Sequence, residues 1–392
     1  MSLQELNINL KNYFIKSGFN YIELPLLFDA DIFFETSGEE IRRKMYSFTD
    51  TSGKEKCLRP DMTVPTCQNF IATNNKSSDS KLCYSGPVFR SSNELSNNSI
   101  ELNQSGIEII FSEKNLNNIH EMDAFILKTA EDTMCQLNID NYKIKIGSIK
   151  LFNQFINKLE LPIRWKQRLV RHFFRRKYFG SLLDRLGEGV GYDNEKKHSM
   201  LQEKFNIDDV SDKGLTDLIN KQNVRGLGAR TVEEIVDRFQ LKSLNVISQK
   251  DGKKIVDLIN NFLKLSCNLS EFPSLLREFT KSNNVSSFES EVEEMENFVN
   301  AVSEKSNIEK YYFDNDFGHS IEFYDGMMFE IYNPDNQSEL ISGGRYDKLL
   351  IDLGSKLNLS AVGFATNNNN ICLLYTSPSP RDNRVSRMPS SA

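Results

Sequence analysis

Hydrophobic residues follow helical spacing at the start of the chain and then change to strand-like runs. From Leu3 to Ser17 apolar side chains recur every three or four positions, which predicts a helix that ends before Gly18. The run FNYIELPLLF at 19–28 predicts a strand that runs into Pro25, whose nitrogen cannot donate a ladder hydrogen bond and which therefore marks a strand end or an irregular edge. The first elements are therefore predicted to be a helix and then a strand with an irregular edge.

Strand-like segments dominate residues 45–111. They include KMYSFTD, KEKCLRPDMT, KLCYSGPVFR and ELNQSGIEIIF, with a turn at Ser52-Gly53. The last two segments flank the loop 91–99, which is rich in Ser and Asn. This arrangement predicts an antiparallel pair of strands.

The rest of the pattern changes in blocks. A helix is predicted over 118–137 and a strand over 142–148, and residues 149–300 then favour helices almost throughout. Strand signals return in the segments YYFDNDFGHSIEFYDGMMFEIY, ELISGGRYDKLL and LSAVGFAT. Mixed strands, a helical block and further strands predict an α+β fold, in which helices are set apart from an antiparallel sheet.

Four ranges follow from this pattern. Residues 1–148 and 306–374 are predicted to form the two parts of one core, and residues 149–305 a mostly helical insertion. The tail 375–392 is rich in Ser, Pro and Arg and has no periodicity, so it is predicted to be disordered. Its abrupt change of composition fits an appended or frameshifted sequence that is not native to the fold.

Composition favours a globular cytoplasmic protein. Hydrophobic residues make up 39% and charged residues 26%, no apolar run is long enough to span a bilayer, and the N-terminus lacks the order of a signal peptide. The six cysteines show no CxxC pair, which argues against a disulfide framework or a zinc site, and the histidines lack ligand spacing. We therefore expect neither a metal nor a cofactor.

The net charge of −6 argues against an extended nucleic-acid surface. The densest basic segment is RHFFRRK at 171–177. Its aromatic residues lie among the basic ones, as they do in some nucleic-acid-binding segments. An amphipathic helix with a solvated basic face is the favoured interpretation.

Four short segments contain the candidate ligand-binding residues. They are LRPDMT at 58–63, GPVFR at 86–90, ELNQSGIEII at 101–110 and SGGRYDKL at 342–349. Each has a structural explanation when it is taken alone: Asp61 as a turn cap, Glu108 as a solvated or salt-bridged carboxylate, and Gly343-Gly344 as a bulge or tight turn. Their order along the chain, however, favours a functional explanation over these structural ones.

The ordered series LRPD-x-T, GP-x-FR, Q-x-G-x-E, Y-x-G-x-x-FE, GGRYD and AVGFA resembles the catalytic core of histidyl-tRNA synthetases. The resemblance runs from about Leu6 to Ala365 and includes IKIGS at 144–148. It implies a largely antiparallel class II synthetase sheet flanked by helices, a helical insertion, and dimerisation through the segment around Pro25.

The resemblance also implies a histidine-binding pocket. The ammonium of the ligand needs acceptors, its carboxylate needs a cation, and its ring needs paired polar groups. The matching residues are Asp61 (usually Glu in these synthetases), Thr63 and Gln104 for the ammonium, Glu108 and Tyr324 for the imidazole, Tyr346 as a further pocket residue, and Arg90 for the carboxylate.

The positions that serve ATP in the synthetases differ in this chain. His319 replaces an arginine in GHSIEFYDG, the loop 91–99 lacks Lys and Arg where the synthetases have a basic loop, and Asn370 lies near the position of a further arginine. Histidine is shorter and mostly neutral near pH 7, so it is a poor substitute for a permanent cation. If each loss costs roughly 10²-fold in rate, no adenylating activity is expected.

One family keeps this core but lacks both these arginines and the anticodon-binding domain of the synthetases. We do not expect that domain here either, because the chain ends soon after the core. This family is that of ATP phosphoribosyltransferase regulatory subunits, and this chain resembles it in each departure. That resemblance implies a non-catalytic protein with histidine as its effector. It further implies a dimer within a hetero-oligomer that contains the short-form catalytic subunit, and feedback control of the first step of histidine biosynthesis. Neither tRNA nor a membrane is expected as a partner.

Two alternatives stay open. In the first, the chain is a truncated histidyl-tRNA synthetase that activates histidine. In the second, it is another paralogue that does not act on tRNA, such as an amino-acid ligase or a translation regulator. His319 and the loop 91–99 argue against the first alternative because both lie upstream of any C-terminal loss.

Overall fold

The computed structural model describes residues 1–37, 39–73, 79–91, 100–112, 119–189, 247–285, 288–318 and 323–376. Contacts divide the chain into two compact units. Unit 1 comprises Met1–Leu151, Ser266–Arg277 and Glu289–Ala392, and unit 2 comprises Phe152–Leu265 and Glu278–Phe288. The boundaries 149–305 for a helical insertion stay a prediction; within them, residues 266–277 and 289–303 belong to unit 1.

The described strands lie in unit 1. In chain order they are β1 (Asn20–Tyr21), β2 (Leu27–Asp29), β3 (Ser47–Thr49), β4 (Glu55–Leu58), β5 (Ser80–Phe89), β6 (Glu101–Phe111), β7 (Lys143–Ser148), β8 (Ser266–Asn268), β9 (Tyr311–Asp314), β10 (Met327–Tyr332), β11 (Glu339–Arg345) and β12 (Ser360–Asn367).

Nine of these strands form one mixed sheet in the order β1-β5-β6-β12-β11-β10-β7-β9-β8. β1 pairs parallel with β5 and β7 with β9, whereas the other neighbours pair antiparallel. The predicted antiparallel pairing of β5 with β6 is confirmed, with Ser80 opposite Ile110 and Phe89 opposite Glu101. The remaining strands form a small sheet in the order β2-β4-β3.

The strand predicted to run into Pro25 is shorter than expected, because it ends at Tyr21, before that residue. Only β1 and β2 are formed there, and they belong to different sheets. Between them, the carbonyls of Leu24 and Pro25 accept hydrogen bonds from Nη1 of the buried Arg59 at 2.7 and 2.9 Å. The Arg59 guanidinium thus donates to these carbonyls in place of a neighbouring strand. A strand ladder would be interrupted here, because Pro25 has no backbone N–H to donate.

Helices account for most of the remaining described residues. In chain order they are α1 (Leu3–Lys16), α2 (Asp31–Thr36), α3 (Glu39–Lys44), α4 (Thr63–Thr73), α5 (Ile119–Gln136), α6 (Ile149–Lys158), α7 (Ile163–His172), α8 (Arg176–Gly187), α9 (Gln249–Leu263), α10 (Phe272–Ser282), α11 (Glu289–Ser303), α12 (Asp347–Asp352) and α13 (Asn368–Thr376). The helix predicted over 118–137 is confirmed as α5. Among the described helices, none has the length and apolar character needed to cross a membrane.

Aromatic side chains form much of the core of unit 2. Phe155 stacks on Phe262 with ring centroids 3.8 Å apart, and Phe152 stacks on Phe173 at 3.9 Å. Phe279 packs at a tilt against both rings of the first pair. Helices α6 to α9 therefore each bury an apolar side, which accounts for the helical periodicity of this region.

The run of four asparagines at 367–370 is anchored in unit 1. Asn367 Oδ1 accepts a hydrogen bond from the backbone N–H of Asn370 at the start of α13. Asn368 is fully buried and donates from Nδ2 to Asn7 Oδ1 at 2.6 Å and to Ser105 Oγ at 2.8 Å. Short amides therefore cap α13 and tie it to α1 and β6.

A buried ion pair joins α5 to the end of β11. Arg345 Nη2 and Nε donate to Asp123 Oδ1 at 2.7 and 3.0 Å, and both residues are at least 95% buried. Burial alone would raise the pKa of Asp123, but the Arg345 guanidinium holds that pKa below its usual value. Because Tyr346 directly follows Arg345, the pair also fixes the backbone next to the candidate site.

We expect Asp123→Ala to lower the free energy of unfolding by roughly 3–5 kcal/mol, because the variant leaves the buried Arg345 guanidinium with the longer contact to Asp347, at 3.4 Å, in place of its closest carboxylate. The matched control is Asp132→Ala in the same helix. Asp132 forms an exposed pair with Lys128, so its loss is expected to cost less than about 1 kcal/mol. Urea unfolding followed by circular dichroism measures both; equal losses for the two variants would contradict the assigned role of the pair.

Candidate functional site

A cavity of about 120 Å³ lies in unit 1, on the face of the large sheet formed by β6, β11 and β12. The N-terminal end of α4 and the segment before β10 close its sides. The lining residues are Ile41, Lys44, Asp61, Thr63, Arg90, Gln104, Phe323, Tyr324, Glu339, Ser342 and Ala365.

The cavity brings together five of the seven residues predicted from the sequence: Asp61, Thr63, Arg90, Gln104 and Tyr324. The other two, Glu108 and Tyr346, are not part of its wall. They are buried behind it, at 0% and 1% exposure, and connect to it through the Thr63 hydroxyl. Residues distant in sequence thus form one polar group, which is what a ligand site requires.

Glu108 is the centre of this group. Its Oε1 accepts hydrogen bonds from Thr63 Oγ1 at 2.8 Å and from the Tyr84 hydroxyl at 3.0 Å, and its Oε2 accepts one from the Tyr346 hydroxyl. Burial raises the pKa of Glu108 to about 7, against the opposing effect of these three donors. Glu108 is therefore neither solvated nor salt-bridged, which were the structural explanations for a lone strand carboxylate.

A glycine in the neighbouring strand makes space for this carboxylate. Gly363 of β12 is the register partner of Glu108 on β6. A Cβ atom at Gly363 would lie 1.6 Å from Glu108 Oε2, a distance that no rotamer adjustment of a buried side chain can relieve cheaply. The glycine of the AVGFA motif is therefore required by the position of Glu108.

Asp61 serves two purposes at the start of α4. Its Oδ1 accepts a hydrogen bond from the backbone N–H of Val64 at 3.0 Å, so it does cap the helix start. Its Oδ2 is buried and has no hydrogen-bond partner among the described residues. Burial raises the pKa of Asp61, while the Val64 N–H and Arg90 oppose the rise. The second oxygen is left available to a ligand.

Gln104 on β6 supplies a second acceptor. Its Oε1 is also buried without a hydrogen-bond partner, and the residue lines the same cavity as Asp61. Buried polar atoms in folded proteins are nearly always paired, and an unpaired one costs about 1–3 kcal/mol. Two unpaired acceptors in one cavity indicate a donor-rich ligand group between them.

Arg90 and Tyr324 complete the chemistry of the wall. Arg90 is fixed by a hydrogen bond of 2.7 Å from its Nε to the carbonyl of Pro60, which orients its guanidinium along the cavity. The Tyr324 ring lies 6.3 Å from that of Tyr346 and 4.8 Å from that of Phe323. The cavity therefore offers two cations, Arg90 and Lys44, together with two free acceptors and an aromatic side.

The residues of the site that were not predicted include Tyr84, which lies behind the wall with Glu108, and the wall residues Glu339 and Ser342. Tyr84 was missed because its link to Glu108 depends on the cross-strand register of β5 and β6, where it lies opposite Gly106. Glu339 and Ser342 were missed because they enter from β11, and the Ser342 hydroxyl donates to Glu339 Oε1 at 3.0 Å. Strict alternation along β11 would place these two residues on opposite faces, because they are three positions apart; the register shift at Leu340 brings both to the cavity, and the sequence pattern does not show it.

This chain differs at three positions from the ATP-binding residues of the synthetases that it resembles. Two of them lie outside the described residues, namely His319 and all but the first residue of the loop 91–99. Asn370 is described: its Nδ2 donates to the carbonyl of Glu339 at 2.8 Å. A neutral amide bound to the backbone thus occupies this position, and the Glu339 side chain brings a carboxylate to the adjoining wall.

Curated relatives extend over most of the chain. An ATP phosphoribosyltransferase regulatory subunit from Brucella anthropi is 26% identical over 358 residues, which cover 88% of this chain and 90% of the relative. The protein of the same name from Brucella canis is 26% identical over 353 residues, with coverages of 88% and 90%.

Solved structures share the fold. A protein described as an ATP phosphoribosyltransferase regulatory subunit/histidyl-tRNA synthetase from Bacillus halodurans matches with a TM-score of 0.63 at 17% identity, over 95% of this chain and 78% of its own. Histidyl-tRNA synthetase from Nostoc matches with a TM-score of 0.58 at 16% identity, over 99% and 73%. The predicted α+β fold of the class II synthetase type is thereby confirmed.

The family model described as histidyl-tRNA synthetase matches residues 2–224 and 200–371, and therefore most of the chain. With the ordered motifs, the sheet and the cavity in place, the chain belongs to the histidyl-tRNA-synthetase family.

Proposed function

We propose that this chain is a non-catalytic regulatory subunit of ATP phosphoribosyltransferase that binds histidine in the cavity and controls the first step of histidine biosynthesis allosterically. The observation that carries the ligand assignment is the pair of buried, unpaired acceptors, Asp61 Oδ2 and Gln104 Oε1. The names of the Brucella relatives support the regulatory role.

The ammonium group of an amino acid fits the two free acceptors. With the Thr63 hydroxyl nearby, Asp61 and Gln104 can receive its three N–H donors, and Asp61 supplies the opposite charge. Arg90 lines the same cavity and can pair with the ligand carboxylate. The α-amino-acid part of the ligand is thus recognised at both charged ends.

The imidazole ring fits the deeper part of the site. Glu108 lies behind the cavity wall, so a ring N–H reaches it where the Thr63 hydroxyl gives way; the carboxylate has more acceptor positions than its three hydroxyl partners use, and Tyr324 lines the wall. A site built to hydrogen-bond a polar ring rejects apolar isosteres strongly, because its own buried groups would be left unpaired. This predicts selectivity for histidine over amino acids with apolar side chains.

The absence of catalysis is proposed from charge. Adenylation needs preorganised cations at the phosphate oxygens, and each missing donor typically costs about 10²–10³-fold. Here Asn370 is neutral, the Glu339 carboxylate repels phosphate, and the sequence has His319 and a loop without Lys or Arg at the other two positions. The amino-acid half of a synthetase site is retained without the phosphate half.

Self-association is proposed through the small sheet that follows Pro25. Three large hydrophobic side chains are exposed there: Leu26 at 44%, Leu27 at 52% and Phe48 at 46%. Leu27 and Phe48 lie on the two edge strands of this sheet, β2 and β3, and exposed apolar residues at sheet edges favour burial against another chain. The dimer is proposed to form part of a hetero-oligomer with the short-form catalytic subunit. Its two histidine sites then share one allosteric equilibrium, with a coupling free energy of roughly 1–3 kcal/mol per bound histidine.

Histidine binding is expected to depend on the predicted site residues. Glu108→Ala should abolish binding in isothermal calorimetry, and Asp61→Asn should weaken it by roughly 10²-fold because the ammonium loses its counter-charge. Asp132→Asn, on the exposed side of α5, is the matched control and should bind as the wild type does. Unchanged binding by Glu108→Ala, with circular dichroism showing an intact fold, would place the ligand elsewhere.

The free energy of unfolding of the unliganded chain should fall as the pH rises from 5 to 8. The folded pKa of Glu108 is raised to about 7, so the protonated form stabilises the fold at low pH and this contribution is lost as the pH rises through about 7. The loss from Glu108 amounts to about 3 kcal/mol.

Glu330 and Asp347, with pKa values raised by burial to about 7 and about 6, act in the same direction. The difference between wild type and Glu108→Gln isolates the contribution of Glu108, since the amide does not titrate. Parallel urea-unfolding profiles for the two proteins across this pH range would show that Glu108 has an ordinary pKa.

The second candidate function is histidine activation, which the fold likeness to the Nostoc synthetase favours. Exchange of labelled pyrophosphate into ATP in the presence of histidine separates the two. We expect exchange at least about 10⁴-fold below that of a histidyl-tRNA synthetase assayed alongside, from two or more missing cations. Exchange at a synthetase-like rate would overturn the regulatory assignment.

A further inference from the structure

Helices α7 and α8 of unit 2 concentrate positive charge. Between residues 163 and 187 the sequence has eight Lys and Arg residues and a single acidic one, Asp184, although the whole chain has a net charge of −6. The proposed function uses none of these side chains. An asymmetry of this size between one helix pair and the rest of a chain is typical of an interaction surface.

The packing of the two helices directs this charge outward. Trp165 and Leu169 of α7 are buried, as are Phe179 and Leu182 of α8. Amphipathic packing accounts for polar residues on the opposite side, but it does not require them to be basic. The sign of the charge therefore needs a separate explanation.

Three arginines converge on one exposed tyrosine. Tyr178 is 41% exposed, and its hydroxyl accepts a hydrogen bond from Arg168 Nη2 at 3.4 Å. Arg175 and Arg185 add their positive charge, and together the arginines lower the pKa of Tyr178. These four residues are here called the Tyr178 patch.

Aromatic neighbours stiffen the Tyr178 patch. The His172 ring packs edge-on against the Tyr178 ring with centroids 4.5 Å apart, and the Arg168 guanidinium lies 5.2 Å from the centre of the Trp165 ring. Side chains that are already held in place lose less conformational entropy when a partner binds.

We propose that the Tyr178 patch is the docking surface for an acidic face of a protein partner, and, resting on the proposed function, that this partner is the catalytic subunit of ATP phosphoribosyltransferase. Arginine and tyrosine are the residues that dominate binding energy at protein interfaces. A partner carboxylate can pair with the arginines in bidentate geometry.

A protein partner fits these residues better than RNA does. Base stacking needs a free aromatic face along a basic track, whereas the Tyr178 hydroxyl is bound by Arg168 and its ring is packed by His172. The net charge of −6 also opposes a long phosphate backbone beyond the patch. RNA binding by the Tyr178 patch would therefore contradict this proposal.

The test mixes the full chain with the catalytic subunit encoded in the same genome and measures the Kd by analytical ultracentrifugation or calorimetry. The double variant Arg168→Gln with Arg185→Gln should weaken the complex by about 10²-fold, and Tyr178→Ala by about 10-fold. Raising the salt from about 50 to about 500 mM should weaken the wild-type complex much more than that of the double variant.

The matched control is Lys305→Gln with Lys356→Gln, which removes the same charge from exposed positions of unit 1. It should bind the catalytic subunit as the wild type does. Circular dichroism checks the fold of each variant, and histidine calorimetry on the chain alone should give wild-type affinity for all of them.

Two outcomes overturn the docking assignment alone. One is an equal affinity of the wild type and the double variant for the catalytic subunit. The other is salt-dependent binding of a tRNA probe that the double variant loses while its affinity for the catalytic subunit is unchanged. No complex with the wild-type chain at about 50 mM salt would overturn both this assignment and the partner in the proposed function.

Discussion

The burial of the Glu108 carboxylate is the constraint on which the candidate site depends. A carboxylate removed from water is costly unless several donors hold it, and here three hydroxyls do so. These hydroxyls come from α4, β5 and the residue after β11, so the sheet order and the start of α4 must both be correct before Glu108 can be buried. The requirement extends to β12, where only glycine fits at position 363.

The same arrangement separates the two halves of a synthetase-like site. Toward α4 the wall has unpaired acceptors on Asp61 and Gln104, which suit the ammonium of an amino acid. On β11 the wall has the Glu339 carboxylate, and the neutral Asn370 of α13 lies next to Glu339 without lining the cavity; neither group suits phosphate. A site that keeps its amino-acid contacts and discourages nucleotide can report the concentration of an amino acid without consuming it, which is the property a feedback sensor requires.

Sequence patterns predicted the elements whose signal is local. The antiparallel pairing of β5 with β6, the helix α5 and the later strands all have regular hydrophobic spacing, and the structure confirms them. The ordered motifs also selected five residues that line one cavity. Thr63 was placed on a strand or its turn, whereas it is the first residue of α4, because the local pattern does not show where LRPDMT changes from strand to helix.

What the sequence did not predict depends on contacts between distant segments. The strand over 19–28 is interrupted because Arg59, more than thirty residues away, occupies the carbonyls of Leu24 and Pro25. Tyr84 and Glu339 become site residues only through the register of the sheet, and the asparagine run has meaning only through Asn7 and Ser105. Gly343 and Gly344 are part of the regular ladder of β11, where close packing against β10 and β12 replaces the bulge or turn considered for them.

The central claim is that the amino-acid half of this site is used and the phosphate half is not. A crystal structure of the chain grown with both histidine and Mg-ATP tests it directly. The account predicts histidine with its ammonium at Asp61 and Gln104 and its ring at Glu108, and no nucleotide beside Glu339. Nucleotide bound in that position, or histidine bound outside this cavity, would contradict it.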